Sequence, residues 1–183
     1  MNLDTDFIRA QYPVFSNPDT ARWAMFENAG GSYVPRQVVD RLHDFFRFTK
    51  VQPYGPFESS IKAGEAMEAG YRAMAGLLGC HPDELTLGPT TTMSFYVQAQ
   101  AMRPLLKPGA EIIVTNQDHE ANIGCWRRLS EFRSMIKEWQ IDPQTGDLAI
   151  EDLKSLVGTR TRLVWFTLCS NSVGNMHDFM ARV

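Results

Sequence analysis

The stretch Asp118-His119-Glu120-Ala121-Asn122-Ile123-Gly124-Cys125-Trp126 sets an imidazole between a β-branched run, Ile112-Ile113-Val114-Thr115, and a helix-patterned run with Ile123, Trp126 and Leu129 on one stripe. An imidazole at the mouth of a strand-to-helix turn, where sheet crevices take up ligands, is placed to lie flat on a planar ring. Upstream, Gly88-Pro89-Thr90-Thr91-Thr92 is a turn into a helix whose free N–H groups, dipole and hydroxyls suit a phosphate. Downstream, Ser170-Asn171-Ser172-Val173-Gly174 is a polar exit from a strand. Three strand ends, each carrying groups suited to a ringed, phosphorylated ligand, point to one site.

Each motif also has a plainer reading. The threonines can simply cap a helix. His119 can belong to a solvated turn with Asp118 as the helix cap, and metal ligation by Asp118-His119-Glu120 is disfavoured because adjacent residues on a turn diverge. Asn171 is ordinary turn chemistry after a strand, or an amide donor to a phenolate-type oxygen. Asn28-Ala29-Gly30-Gly31 reads as a flexible turn, or as a place where backbone approaches a ligand closely.

The elements that must position these groups follow from periodicity and breakers. A short helical arm ends at Tyr12-Pro13, with a turn through Asn17-Pro18-Asp19. An apolar segment, Trp23-Ala24-Met25-Phe26, runs into Asn28-Ala29-Gly30-Gly31-Ser32. A helix from Pro35 aligns Val38, Val39, Leu42, Phe45 and Phe46, and a second runs from about Phe57 to Leu78 before Gly79. After Pro82, strands at Leu85-Thr86-Leu87, Glu111 to Thr115, Met135 to Trp139 and Leu163 to Leu168 alternate with helices Met93 to Leu105, Ala121 to Phe132 and Ile150 to Val157. This alternation predicts an α/β fold with a largely parallel sheet.

With 183 residues, of which 44% are hydrophobic and 11% aromatic, the chain can bury one substantial core. Eighteen basic against 21 acidic residues give a net charge of −3, with no long run of either sign, so neither nucleic acid nor a membrane is an expected partner. Met1-Asn2-Leu3-Asp4-Thr5-Asp6 lacks the regions of a secretory signal, and no apolar run is long enough to cross a bilayer, so a cytoplasmic location is expected. Cys80, Cys125 and Cys169 are odd in number and widely spaced, which argues for reduced thiols rather than a disulfide framework or a zinc site.

In order and spacing these motifs resemble the class V aminotransferase family of fold-type I pyridoxal phosphate enzymes, which includes cysteine desulfurases. Phe26-Glu27-Asn28-Ala29-Gly30-Gly31-Ser32-Tyr33-Val34-Pro35 is similar to the family's N-terminal "DNAA…P" element. Thr90-Thr91 stands at its phosphate-binding Thr pair, and His119 with Ala121-Asn122-Ile123 and Trp126 matches "H-x-A-N-I-x-x-W", whose His stacks on the pyridine ring. Ser170-Asn171 and Gly174 match "S-N-x-x-G", whose Asn lies near the cofactor's phenolic oxygen. The resemblance implies a three-layer α/β/α fold with a mostly parallel sheet, an N-terminal arm over 1–25 and an incomplete N-terminal part of the pyridoxal phosphate-binding large domain over 26–183. It further implies pyridoxal 5'-phosphate as cofactor held by Thr90, Thr91, Thr92, His119 and Asn171, an amino-acid substrate, and a homodimer in the complete protein.

Thr92 replaces a Glu common after the Thr pair, and Cys125 replaces a Pro common before the Trp. Cys125 is read as packing, since the family's persulfide cysteine lies far downstream. The family's Schiff-base lysine, pyridine-nitrogen Asp and carboxylate-binding Arg belong to its C-terminal half. None of Lys50, Lys62, Lys107, Lys137 and Lys154 has the required strand-exit context, so no catalytic residue is expected here. The resemblance also implies that the strand of the Thr loop lacks its sheet neighbours, and the chain stops at Ala181-Arg182-Val183 inside an expected helix begun near His177. Two expectations remain: part of a pyridoxal phosphate enzyme acting as an aminotransferase or cysteine desulfurase-like lyase, or a non-catalytic remnant serving protein association or weak cofactor binding.

Overall fold

A computed structural model describes residues 3–177, and the chain divides into two compact units, 1–86 and 87–183. The expected helix beyond His177 lies outside the described residues.

The first unit is helical. Helix α1 (Thr5–Ala10) begins where Asp4 Oδ1 accepts the Phe7 N–H at 2.9 Å. Asn17-Pro18-Asp19, expected as a plain turn, instead starts the four-residue helix α2 (Pro18–Ala21): Asn17 Oδ1 accepts the Asp19 N–H at 3.0 Å, and Pro18 sits at the first helical position, where its missing N–H costs nothing. Helix α3 (Arg36–Asp44) starts just after Pro35 and continues into a π-helical turn, Phe45–Thr49. Its apolar residues Val38, Val39, Leu42, Phe45 and Phe46 are all exposed. Helix α4 (Glu58–Leu78) buries only small residues, Ser60, Ala63, Gly64 and Ala75, and stops at Gly79, whose φ of 71° is open to glycine at no steric cost.

The second unit is built on a parallel sheet of order β2-β1-β3, with β1 (Glu111–Thr115), β2 (Met135–Trp139) and β3 (Thr161–Trp165). Helix α5 (Thr91–Met102) precedes β1, α6 (Glu120–Arg127) connects β1 to β2, and α7 (Ile150–Leu156) connects β2 to β3. The two faces of β1 sort its side chains into two cores. Ile112 and Val114 pack with Ala99 of α5 and Ile123, Trp126 and Leu129. Ile113 turns the other way, toward Trp139, Leu148, Leu153 and Leu156. Helices on both faces of a sheet buried through every residue of β1 give the three-layer α/β/α arrangement that the resemblance implies, on the parallel sheet that the alternation predicts.

Two strand expectations change. Leu85-Thr86-Leu87 joins no ladder among the described residues, although Leu85 is extended at φ −107° and ψ 130°. Extension without a paired neighbour is not a strand, as the resemblance implied for this segment. The ladder of β3 covers Thr161–Trp165 rather than Leu163 to Leu168, because β1 offers no partner beyond Val114 opposite Trp165.

At the amino edge of the sheet, Glu111 is 3% exposed and its carboxylate meets Lys137 Nζ at 2.8 Å and Arg160 Nε and Nη2 at 3.0 and 2.8 Å. Lys137 first, then Arg160, holds the carboxyl below its ordinary range. A carboxyl whose folded pKa is depressed contributes stability above its unfolded value, near about 4.3, and loses it as pH falls through the folded value. Glu111→Gln is therefore expected to lower the urea midpoint at pH 7 and to shrink the stability difference between pH 6 and pH 3 relative to the unsubstituted chain. An unchanged pH dependence would show that this cluster does not contribute.

Candidate functional site

Thr92, Tyr96, His119, Glu120, Ala121, Gly124, Cys125 and Arg128 line one cleft of about 290 Å³ in the second unit. Its two walls are the starts of α5 and α6, which pack together through the core around Trp126. Thr90 caps α5: its Oγ1 accepts the Met93 N–H at 3.1 Å, and its carbonyl accepts Ser94 N at 3.0 Å. Thr91 and Thr92 occupy the first two helical positions, where N–H groups have no carbonyl four residues back. Thr90, Thr91 and Thr92 are all exposed. The plain capping role thus falls to Thr90, and the exposed Thr91 and Thr92 take no part in it.

His119, not Asp118, is the cap of α6, its Nδ1 accepting the Ala121 N–H at 3.0 Å. Asp118 works one step behind it. Its Oδ1 accepts the His119 N–H at 2.7 Å and the Asn122 amide at 2.8 Å, while its own N–H donates to Thr115 Oγ1 at 3.2 Å. The Asp118-His119-Ala121-Asn122 motif is therefore a self-braced turn that fixes the imidazole. With Nδ1 held as an acceptor, the hydrogen of the neutral ring lies on Nε2, so the exposed edge meets a ligand as a donor.

Cys125 sits among the buried residues around Trp126, and burial pushes its thiol above the ordinary cysteine range. That matches its reading as packing. Among the described residues no cluster of His, Cys, Asp and Glu is arranged to hold a metal ion, and all three cysteines are free.

Thr92 and His119 are brought together, whereas Asn171 does not line their cleft. Asn171 is exposed in the turn after β3, whose Ser170 Oγ accepts the N–H groups of Ser172 and Val173 at 3.2 Å each. It shares the carboxyl edge of the sheet with His119, since β1 and β3 run parallel. Asn28-Ala29-Gly30-Gly31 belongs to the first unit, where Glu27 Oε1 accepts the Gly30 N–H at 2.7 Å. Tyr96 and Arg128 were not singled out from sequence, yet helical arithmetic finds them: Tyr96 is four residues after Thr92, and Arg128 four after Gly124.

No lysine lines the cleft. Lys137 is engaged by Glu111, Lys154 pairs with Glu151 at 2.7 Å, and Lys107 lines a depression at the opposite, amino edge of the sheet with Arg160 and Arg162. Lys50 and Lys62 belong to the first unit, Lys62 paired with Glu58 and Lys50 placed over the Phe46 ring. The open helix start and the ring beside it fit a phosphorylated, planar ligand, and the groups present would hold it without a covalent bond.

Comparison with known proteins shows what the chain is similar to. The model of the family described as aminotransferase class-V matches residues 24–182. The chain is 32% identical over 180 residues to the aminotransferase-like protein FGM3 of Gibberella zeae, covering 95% of this chain and 43% of that protein. It is 30% identical over 181 residues to the cysteine desulfurase-like protein ustD of Aspergillus flavus, covering 96% and 40%. The apo structure of a cysteine desulfurase from Thermococcus onnurineus NA1 superposes with a TM-score of 0.85 at 21% identity, over 97% of this chain and 43% of that one. The cysteine desulfurase CsdA of Escherichia coli gives 0.77 at 23%, over 97% and 44%. At such identities the structural likeness is one of fold. The chain spans less than half the length of each of these relatives.

Proposed function

Because the chain belongs to the class V aminotransferase family, we propose that it supplies the phosphate-binding and ring-covering half of a pyridoxal phosphate site in an enzyme acting on an amino acid. The fold is that of the fold-type I enzymes. The observation that carries the reading is the shared cleft of Thr92, at the open start of α5, and His119, at the start of α6.

In this reading the first-turn N–H groups of α5 and the hydroxyls of Thr90, Thr91 and Thr92 hold the phosphate. The imidazole of His119 covers one face of the ring, and the Asn171 amide donates to the phenolic oxygen. Pyridoxal phosphate, when bound, supplies an electron sink for charge left on a substrate carbon. With Nδ1 committed to the helix, His119 Nε2–H is the donor that the ring can offer to the bound cofactor and substrate. The covalent partner is assigned to a residue outside this sequence, because none of its lysines lines the cleft. The complete protein is proposed to be a homodimeric aminotransferase or cysteine desulfurase-like lyase.

Two substitutions separate the cap from the ring. His119→Asn retains a good N-cap and removes the imidazole, whereas His119→Ala removes both and is expected to lower stability by about 1 kcal/mol. Both are expected to blunt the absorbance change of pyridoxal phosphate on binding. Spectra identical to that of the unsubstituted chain would reject the ring-covering role.

A further inference from the structure

Three loops leave the carboxyl edge of the sheet, and a buried polar chain joins them. Gln117 is 5% exposed and His177 is 9% exposed, and His177 Nε2 lies 2.6 Å from Gln117 Oε1. The other end of the same amide, Nε2, donates to the carbonyl oxygen of Gly146 at 2.9 Å. A backbone carbonyl can only accept, so the amide orientation is fixed by Gly146, and His177 must donate from Nε2 to the remaining oxygen.

The turn 142–147 and the loop after β3 meet without slack at the same place. Gly146 has a φ of 75°, and a Cβ there would fall 2.9 Å from Val173 Cγ1 and 3.0 Å from Asn175 Nδ2. Asn175 Nδ2 in turn donates to the Thr145 carbonyl at 3.1 Å and to Asp147 Oδ1 at 3.2 Å. The loop after β3 is itself closed by His177 N–H to Leu168 O at 2.8 Å and Ser170 N–H to Asn175 O at 3.0 Å. Asn171 rides on that closed loop, and His119 stands two residues after Gln117.

We propose that Gln117 and His177 are positioning residues that set His119 and Asn171 relative to each other, an inference that rests on the assignment of those two residues to the cofactor. Neither touches the cleft. A buried amide satisfied at both ends has no second arrangement of equal energy, so it transmits the position of one loop to the other.

The test uses the full chain in three forms besides the unsubstituted one: Gln117→Leu, His177→Ala and the conservative His177→Gln, whose amide can again donate to Gln117. Amide hydrogen exchange is expected to quicken about tenfold or more over both 116–119 and 166–177 in Gln117→Leu and His177→Ala, the scale of one buried hydrogen bond, and to stay unchanged at 112–114. His177→Gln restores slow exchange. With pyridoxal phosphate as the probe, nuclear magnetic resonance shifts at the His119 ring and the Asn171 amide are expected to diminish in the two disruptive variants while those at Thr90–Thr92 persist. Quickening in one loop alone, quickening that extends through 112–114, or undiminished shifts at His119 and Asn171 overturns the proposal. If pyridoxal phosphate moves no signal even in the unsubstituted chain, the cofactor reading fails and the strut is decided by exchange alone, both loops for it and one or neither against it.

Discussion

Trp126→Ala is expected to destabilise the second unit by about 3–5 kcal/mol, the range for emptying a fully buried aromatic site. The indole is completely buried, lies 4.8 Å from the Trp165 ring centroid, and holds α6 against β1 together with Ile123 and Leu129. Phe95 of α5 meets the same Trp165 ring edge-on at 4.9 Å, so the loss would spread to both helices that wall the cleft. Trp126→Phe is the informative control. The indole Nε1 is buried with no hydrogen-bond partner, so exchanging it for a hydrocarbon ring removes an unsatisfied donor while leaving most of the volume filled. It is expected to cost about 1.5 kcal/mol or less. Urea unfolding followed by tryptophan fluorescence and far-ultraviolet circular dichroism measures both, and a Phe variant as unstable as the Ala variant would show that the indole contributes more than packing.

Thr91→Ala is expected to weaken pyridoxal phosphate binding by about 1.5–3 kcal/mol, the scale of a hydrogen bond to a charged group. Thr90→Ala is expected to do the same and also to cost about 1 kcal/mol of stability, because Thr90 Oγ1 caps α5 through Met93 N–H. The difference between the two separates anion binding from helix capping. Inorganic phosphate is expected to compete for the same turn. Equilibrium dialysis of the full chain measures the affinities, and values unchanged in both variants would leave these threonines as helix-start residues only.

Where a residue's role is set by its near neighbours in the chain, the sequence makes it readable. Strands β1 and β2 are found with both ends correct because β-branched and aromatic residues are bounded by Gly109 and Ser134 on one side and by polar turns on the other. The stripe Ile123, Trp126 and Leu129 is buried as its helical spacing requires. Roles set by distant partners are not readable in this way. The apolar alternation of Leu85-Thr86-Leu87 is strand-like, but pairing requires a neighbour that the described residues do not offer. His119 as the cap of α6 is a local role that is still missed, because Asp118 is the commoner cap type and its carboxylate is instead taken by the His119 N–H and by Asn122 four residues on. Gln117 and His177 lie sixty residues apart, and no local pattern joins them.

The sheet order β2-β1-β3 also bears on how the chain comes to be folded. Its central strand is the first of the three to be synthesised, and each neighbour arrives only after a complete connection, β2 through α6 and β3 through α7. The β1–α6–β2 crossover closes the shorter loop, so it can form before β3 exists, and at that moment the Trp126 side of β1 already has its helix while one whole edge of the strand stays open. Docking β3 is then the step of greatest sequence separation and, by the dependence of folding rate on such separations, the slow one. Substitutions within β3, such as Val164→Ala, would slow refolding if this docking lies in the barrier, whereas a change confined to α7 and formed later would act mainly on unfolding.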